Sequence, residues 1–261
     1  MGEDLAQRFR GARRDPELTV LEGFHALKHA LRFGAELEVA VSEDPAGLES
    51  LAAELAPDLA EELAARVQTV APGTLAALVP QAPRTGVVAL ARRPAVDVAA
   101  VLADPRPAPV ILLEQPRNMG NMGACVRVAA AADAAAVLTL GENDPWGPDA
   151  IRGGAGLQFA LPVAGLETLP ELGGRPLLAI DPEGEALDPA GLPARAVLAF
   201  GTERHGLSEG LLARADGRLA IPMRAGVSSL NLATSVAAVL FAWRLDGESP
   251  ELGDAERRPA G

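Results

Sequence analysis

Three short stretches of this chain hold polar residues at spacings that could do chemistry. In Glu114–Ala132, "EQPRNMGNMGACVRVAAAA", the residues Asn121, Gly123 and Arg127 fall within seven positions, after the apolar run "PVILL". A strand, a glycine-bearing turn and a helix in that order can cradle an anion, because the first helical turn offers free backbone N–H groups. An arginine on an apolar helix is costly to bury unless it meets an anion, so Arg127 predicts one. An ordinary glycine turn with Asn121 as helix cap is the alternative local reading. The second stretch, "FGTERHGLSEGLLARAD", sets Glu203 between Gly201 and Gly206, ahead of a helix whose expected N-cap is Ser208. Standing alone, Glu203 would read as a solvent-exposed loop carboxylate. The third, "IPMRAGVSSLNLATSVAAVL", predicts a helix beginning near Ser228 or Ser229. It would carry Asn231 inside, where asparagine is disfavoured without a partner.

Familiar nucleotide fingerprints do not fit these loops. Gly120 and Gly123 give G-x-x-G, neither the G-x-G-x-x-G of a dinucleotide fold nor the G-K-[ST] of a P-loop. That spacing argues against a nucleotide-dependent oxidoreductase. Cys125 is the sole cysteine, so no intramolecular disulfide or cysteine metal site is possible within the chain. His25, His29 and His205 show no metal-ligand spacing, and no metal is expected.

The elements that must hold these loops follow from hydrophobic patterning. Short apolar runs ("PVILLE", "AAVLTLG", "LQFALPV", "PLLAID", "AVLAFG", "GRLAIPM") alternate with helical stretches, which predicts a parallel sheet covered on both faces. Such sheets bind ligands beyond the C-terminal ends of their strands, where all three loops fall. Before this region, "LEGFHALKHALRFG" reads as a helix, "ELEVAVS" and "GVVALAR" as strands, and an Ala/Leu/Glu stretch as a further helix. That makes a small α/β unit of about one hundred residues. The proline-rich Ala91–Val110 segment reads as a linker, and the polar residues after Asp246 as a flexible tail.

The 261 residues are 49% hydrophobic and 22% charged, the balance of a soluble globular protein. No secretory signal is evident at the N-terminus, and Leu230–Leu245 is too short and polar to span a bilayer, so a cytoplasmic protein without membrane contact is expected. The formal charge of −12 argues against nucleic acid as a partner, but much of it is concentrated in Glu36–Glu62, and local patches decide binding. Lys28 is the only lysine, and arginine is the better residue for forked phosphate contacts.

Taken in order, "NMGACVR", "FGTERHGLS" and "IPM…GVSSLNLATSVAAVL" resemble the three motifs of the SpoU (TrmH) family of SPOUT RNA methyltransferases, over about Val110–Leu245. Upstream, "LTVLEGFHALKHALRFGAELEVAV" resembles the L30e-like substrate-binding domain found in many ribosomal-RNA members. The resemblance implies an α/β architecture with an L30e-like unit over 1–95, a linker over 96–109, a SPOUT domain with a deep trefoil knot over 110–246 and a tail over 247–261. It implies S-adenosylmethionine as cofactor and methylation of a ribose 2′-hydroxyl, in ribosomal RNA first, with a homodimer formed through the knot.

Carried over residue by residue, Arg127 is the catalytic arginine, and Asn121, Glu203, Ser229 and Asn231 orient it and the ribose. Gly201, Ile221 and Leu230, joined by Phe200, Thr202, Met223 and Ser229, are the expected cofactor contacts. Basic candidates for an RNA path are Arg8, Arg10, Arg13, Arg14, Lys28, Arg32, Arg117 and Arg152. Val128 stands where the family commonly has Ser or Thr; any hydroxyl role there falls elsewhere, with Asn118 a candidate. A transfer-RNA substrate and a non-catalytic RNA-binding relative are the alternatives. Retention of Arg127, Glu203, Ser229 and Asn231 together argues against the latter.

Overall fold

The computed structural model describes residues 2–202 and 205–246. In chain order the elements are α1 (Gly2–Ala12), β1 (Leu18–Glu22), α2 (Phe24–Arg32), β2 (Leu37–Ser42), α3 (Pro45–Leu55), α4 (Ala60–Arg66), β3 (Val67–Thr69), α5 (Leu75–Leu78) and β4 (Val87–Arg92). There follow α6 (Val98–Ala103), β5 (Val110–Glu114), α7 (Met119–Ala131), β6 (Ala136–Leu140), α8 (Pro148–Gly154), β7 (Val163–Leu166) and β8 (Leu177–Ala186). The last four are β9 (Val197–Phe200), α9 (Glu209–Leu212), β10 (Gly217–Ala220) and α10 (Leu232–Asp246). Two sheets result. The first has order β1-β4-β2-β3, with β4 antiparallel to both neighbours and β2 parallel to β3. The second has order β10-β8-β9-β5-β6-β7 and is parallel throughout.

The second sheet is parallel because its strands are apolar on both faces. In β5, Ile111 and Leu113 join a core with Met122, Cys125 and Val126 of α7 and Val236, Val239 and Leu240 of α10. Val110 and Leu112 point the other way, to a core with Leu102 of α6 and Leu207 and Leu211 around α9. This period-2 division puts helices on both sides of the sheet and all strand C-termini at one edge.

Some expectations need correction. "LQFALPV" is not a strand: Leu157–Phe159 is a 3₁₀ turn, and β7 starts at Val163. The run instead plugs the space beside α8, with buried Gln158 donating to the carbonyls of Pro145 and Ala150 and Phe159 packed edge-on to Trp146 at 5.0 Å. Leu21 and Glu22 belong to β1, and α2 starts only after Gly23, whose φ of 96° suits glycine. The Ala/Leu/Glu helix is split into α3 and α4 by a 3₁₀ turn at Pro57–Leu59, because proline cannot continue a helix. Within the expected linker lies a short helix, α6, capped by Asp97. Its end is held by buried Arg175, which donates to the carbonyls of Leu102, Ala108 and Asp104.

The two sheets are joined by polar contacts. Thr19 donates to the Trp146 carbonyl (2.8 Å), His29 Nδ1 to the Ala155 carbonyl (2.7 Å), and Arg152 pairs with the Glu22 carboxylate, which Arg13 also holds from its own side. Gly156 lies so close to the Ala26 backbone that a Cβ would collide with it.

Candidate active site

The first loop leaves β5 at Glu114 and turns through Gln115, whose φ is +45°. Asn118, not Asn121, caps α7: its Oδ1 accepts from the Asn121 N–H at 2.9 Å. Asn121 is thereby in the first helical turn with its side chain available for another contact. The glycines have a packing purpose. A Cβ at Gly123 would meet the Ala150 carbonyl and the Gly154 nitrogen, and one at Gly153 the Gly120 carbonyl. α7 and α8 thus touch backbone to backbone, and only glycine allows it.

Arg127, expected at a buried position, is exposed. The apolar side of α7 is used by Met122, Cys125, Val126 and Ala129, and position 127 falls off that face. Among the described residues it makes no hydrogen bond or ion pair. Its charge acts on His25 and Lys28 of α2. Burial lowers the His25 pKa, and the charges of Lys28 and Arg127 lower it further. Burial and Arg32 lower that of Lys28, Asp58 partly opposes them, and Arg127 adds to the lowering.

The second loop leaves β9 at Phe200. Gly201 must be glycine because the chain folds back on it; a Cβ there would strike the Gly206 carbonyl. Thr202 and Gly206 exchange two backbone hydrogen bonds of 3.0 Å, and the His205 N–H donates to Thr202 Oγ1. Glu203 lies outside the described residues. Ser208 caps α9 as expected, and both its N–H and its hydroxyl donate to Glu114 at 2.7 Å. Glu114 thus clamps the second loop to the first. Sequence reading missed it, since a carboxylate at a strand end gives no local signal.

The third loop runs from β10 to α10, which starts at Leu232, later than expected. Asn231 is therefore not in a helix interior but at its cap, accepting from the Ala233 N–H at 2.9 Å. Its amide nitrogen donates to Asn121 Oδ1 at 3.2 Å. One asparagine starts α10 and also ties it to the start of α7.

Between the second and third loops and the end of β8 lies a cleft of about 540 Å³. Phe200, Gly201, Thr202, Ile221, Met223, Ser229 and Leu230, the seven expected cofactor positions, all line it. Asp181, Glu183, His205 and Arg218 line it too and were not singled out from sequence. Arg127 and Asn121 are not part of its wall; the Asn121–Asn231 bond links α7 to its rim. Of the basic candidates, Arg8, Arg13, Arg32 and Arg152 are held by carboxylates. Arg10, Arg14, Lys28 and Arg117 form no ion pair among the described residues. No group of three His, Cys, Asp or Glu residues able to hold a metal occurs among the described residues. Among them, too, no helix is long and apolar enough to cross a membrane.

The chain and its fold have known counterparts. A tRNA/rRNA methyltransferase of Synechocystis sp., itself uncharacterised, is 32% identical over 139 residues, 50% of this chain and 51% of that protein. The 23S rRNA (uridine(2479)-2′-O)-methyltransferase of Streptomyces viridochromogenes is 27% identical over 144 residues, 50% of each. The chain thus spans about half the length of these curated relatives in alignment. The crystal structure of the SpoU methyltransferase AviRb from Streptomyces viridochromogenes, in complex with AdoMet, superposes with a TM-score of 0.75 at 24% identity. That superposition covers 94% of this chain and 98% of AviRb. The profile of the SpoU rRNA methylase family matches residues 108–241, the segment that carries all three loops and the cleft, and the protein belongs to that family.

Proposed function

We propose that the protein transfers a methyl group from S-adenosylmethionine to a ribose 2′-hydroxyl of RNA, ribosomal RNA foremost. The observation that carries this reading is the convergence of the seven expected cofactor positions on one cleft, tied at its rim to the arginine-bearing helix. A cleft of about 540 Å³ suits a ligand of this size. Phe200, Ile221 and Leu230 offer apolar contacts for a purine, and Gly201 lets backbone approach closely. When bound, the cofactor would supply an electrophilic methyl on a sulfonium.

The chain's own task is positioning and charge. Guanidinium is effectively never deprotonated, so Arg127 is not the base. Its exposed fork holds the phosphate next to the target ribose and stabilises charge developing on the 2′-oxygen, and that phosphate or a neighbouring group accepts the proton. Asn121, Ser229 and Asn231, with Glu203, orient the ribose and Arg127. Lys28 on α2 extends the positive field around Arg127 and, with the neutral imidazole of His25 beside it, marks the RNA path.

The same reading assigns the first sheet, within 1–95, to an L30e-like substrate-binding unit, 96–109 to the linker, and 110–246 to a SPOUT domain with a trefoil knot. A homodimer through that domain agrees with exposed Val227 and Leu230 before α10 and Phe241 and Leu245 on it.

Incubation with methyl-labelled cofactor and ribosomal or transfer RNA tests the proposal. Label should enter a ribose 2′-position of ribosomal RNA and disappear in Arg127→Ala while cofactor binding persists. A protein that binds no cofactor would sink the proposal, and label entering only transfer RNA would redirect its substrate.

A further inference from the structure

We propose that Asp181, Glu183 and Arg218 let the cleft tell the methylated cofactor from the demethylated product by charge. This rests on the methyl-transfer reading above and concerns residues that no motif singled out. β8 and β10 pair in parallel with a register break: Arg218 faces Ala179, whereas the next residue, Leu219, faces Glu185. The five residues between, 180–184, have no partner on β10 and form a bulge against it. Gly184 fixes it, because a Cβ there would meet the Arg218 carbonyl and the Leu219 nitrogen. The bulge carries Asp181 and Glu183 onto the cleft wall, with Arg218 at its foot.

None of the three belongs to an ion pair within the described residues. Asp181 Oδ1 accepts from the Glu183 N–H at 2.8 Å, which aims the carboxylate and leaves its other oxygen for a ligand. The cleft therefore presents two negative charges and one positive charge from these groups. S-adenosylmethionine carries the complement: a sulfonium, an ammonium and a carboxylate, net +1. On transfer the methyl–sulfur bond breaks with its electron pair left on sulfur, and the methyl–oxygen bond forms as the 2′-hydroxyl proton leaves. The product is a neutral thioether zwitterion. A wall that is net negative in these three groups holds the cation more tightly than the zwitterion, which favours product exchange after each turnover.

Calorimetric binding of S-adenosylmethionine and S-adenosylhomocysteine to the full chain tests this, with methylthioadenosine as a neutral probe lacking the amino acid. A carboxylate about 6 Å from a sulfonium in a partly solvated cleft is worth about 3- to 10-fold in affinity. Glu183→Gln and Asp181→Asn should weaken the cofactor by that factor and the product by less, so the product-to-cofactor Kd ratio falls. Arg218→Gln should weaken both alike, and methylthioadenosine should be unaffected by all three. Raising salt should shrink the wild-type ratio, a measurement that needs no variant. If both ligands bind and the ratio ignores the substitutions and salt, the inference is wrong. If the wild type binds neither ligand, the methyl-transfer reading itself fails.

Discussion

Gly120 and Gly123 look interchangeable in "NMGNMG", yet alanine at the two positions should shift stability in opposite directions. At Gly123 the added methyl meets the Ala150 carbonyl and, at 2.6 Å, the Gly154 nitrogen. Both belong to the backbone of α8, so relief needs a helix to move and not a side chain to turn. Overpacking of this kind costs about 3 kcal/mol, at the upper end of its usual range, because backbone yields least. Alanine recovers about 1 kcal/mol of helix propensity over glycine. The net is about 2 kcal/mol of destabilisation, or roughly 4–8 °C in Tm for a chain of this size. At Gly120 the methyl meets only Asn118 Oδ1, at 3.2 Å, so the capping side chain has to give by just a few tenths of an ångström. There the propensity term dominates, and Gly120→Ala should gain up to about 1 kcal/mol. Paired thermal and urea melts would measure the gap of about 2–3 kcal/mol between the variants. If Gly123→Ala gains stability as Gly120→Ala does, the two helices do not touch as described.

Three further outcomes follow from the polar contacts. Asn231→Asp keeps the oxygen that caps α10 and loses the nitrogen that reaches Asn121, so melting should hold while methyl transfer falls about 5- to 10-fold, the worth of one hydrogen bond; Asn231→Ala should also lose about 1 kcal/mol of cap. His29 is held neutral, chiefly by burial, with its folded pKa below the ordinary value despite the opposing bond to Ala155. The unfolded chain therefore binds more protons, and this contribution is present above the unfolded pKa of about 6.5 and lost as pH falls through the lowered value. Stability curves from pH 7.5 to 5 should decline, and His29→Gln should flatten that decline; an unchanged slope would remove His29 as its source. Arg175→Lys should cost about 2–4 kcal/mol by chemical denaturation, because one ammonium cannot reach the carbonyls of Leu102, Ala108 and Asp104 together, and near-neutrality would contradict a guanidinium anchor for α6.

What could be read from the sequence depended on how local its cause was. The runs "VILLE", "AVLTL" and "VLAF" announced strands because a doubly covered parallel strand has no polar face, and the three loops then had to fall at one sheet edge. Patterning went no further than the loops; the seven cleft positions came from the resemblance to the SpoU motifs. It failed where a distant partner decides the outcome. "LQFALPV" has strand composition, but the turn at Gly156 and the bonds from Gln158 to Pro145 and Ala150 hold it in a 3₁₀ turn. Asn118 and Asn121 are equally good caps by type, and only the helix start chooses between them. Glu114 and the Asp181–Glu183 bulge could not be seen, because their meaning comes from Ser208, 94 residues away, and from a register break with β10.

Charge looked hardest to reconcile with RNA, and it is where pairing matters most. A formal charge of −12 would repel a polyanion if the basic groups were spread evenly. They are instead sorted. Arg8, Arg13, Arg32 and Arg152 are each held by a carboxylate, which leaves little net field around them. Arg127 has no such partner among the described residues, and Lys28, whose pKa its charge helps to lower, comes from the first sheet's α2. Like charges that interact raise one another's free energy, and an anion laid across them relieves that cost. The halves of the molecule meet where α2 abuts the turn after α8, through the His29–Ala155 bond and the Gly156–Ala26 contact. The packing that sets the first sheet against the second therefore also brings Lys28 into the field of Arg127.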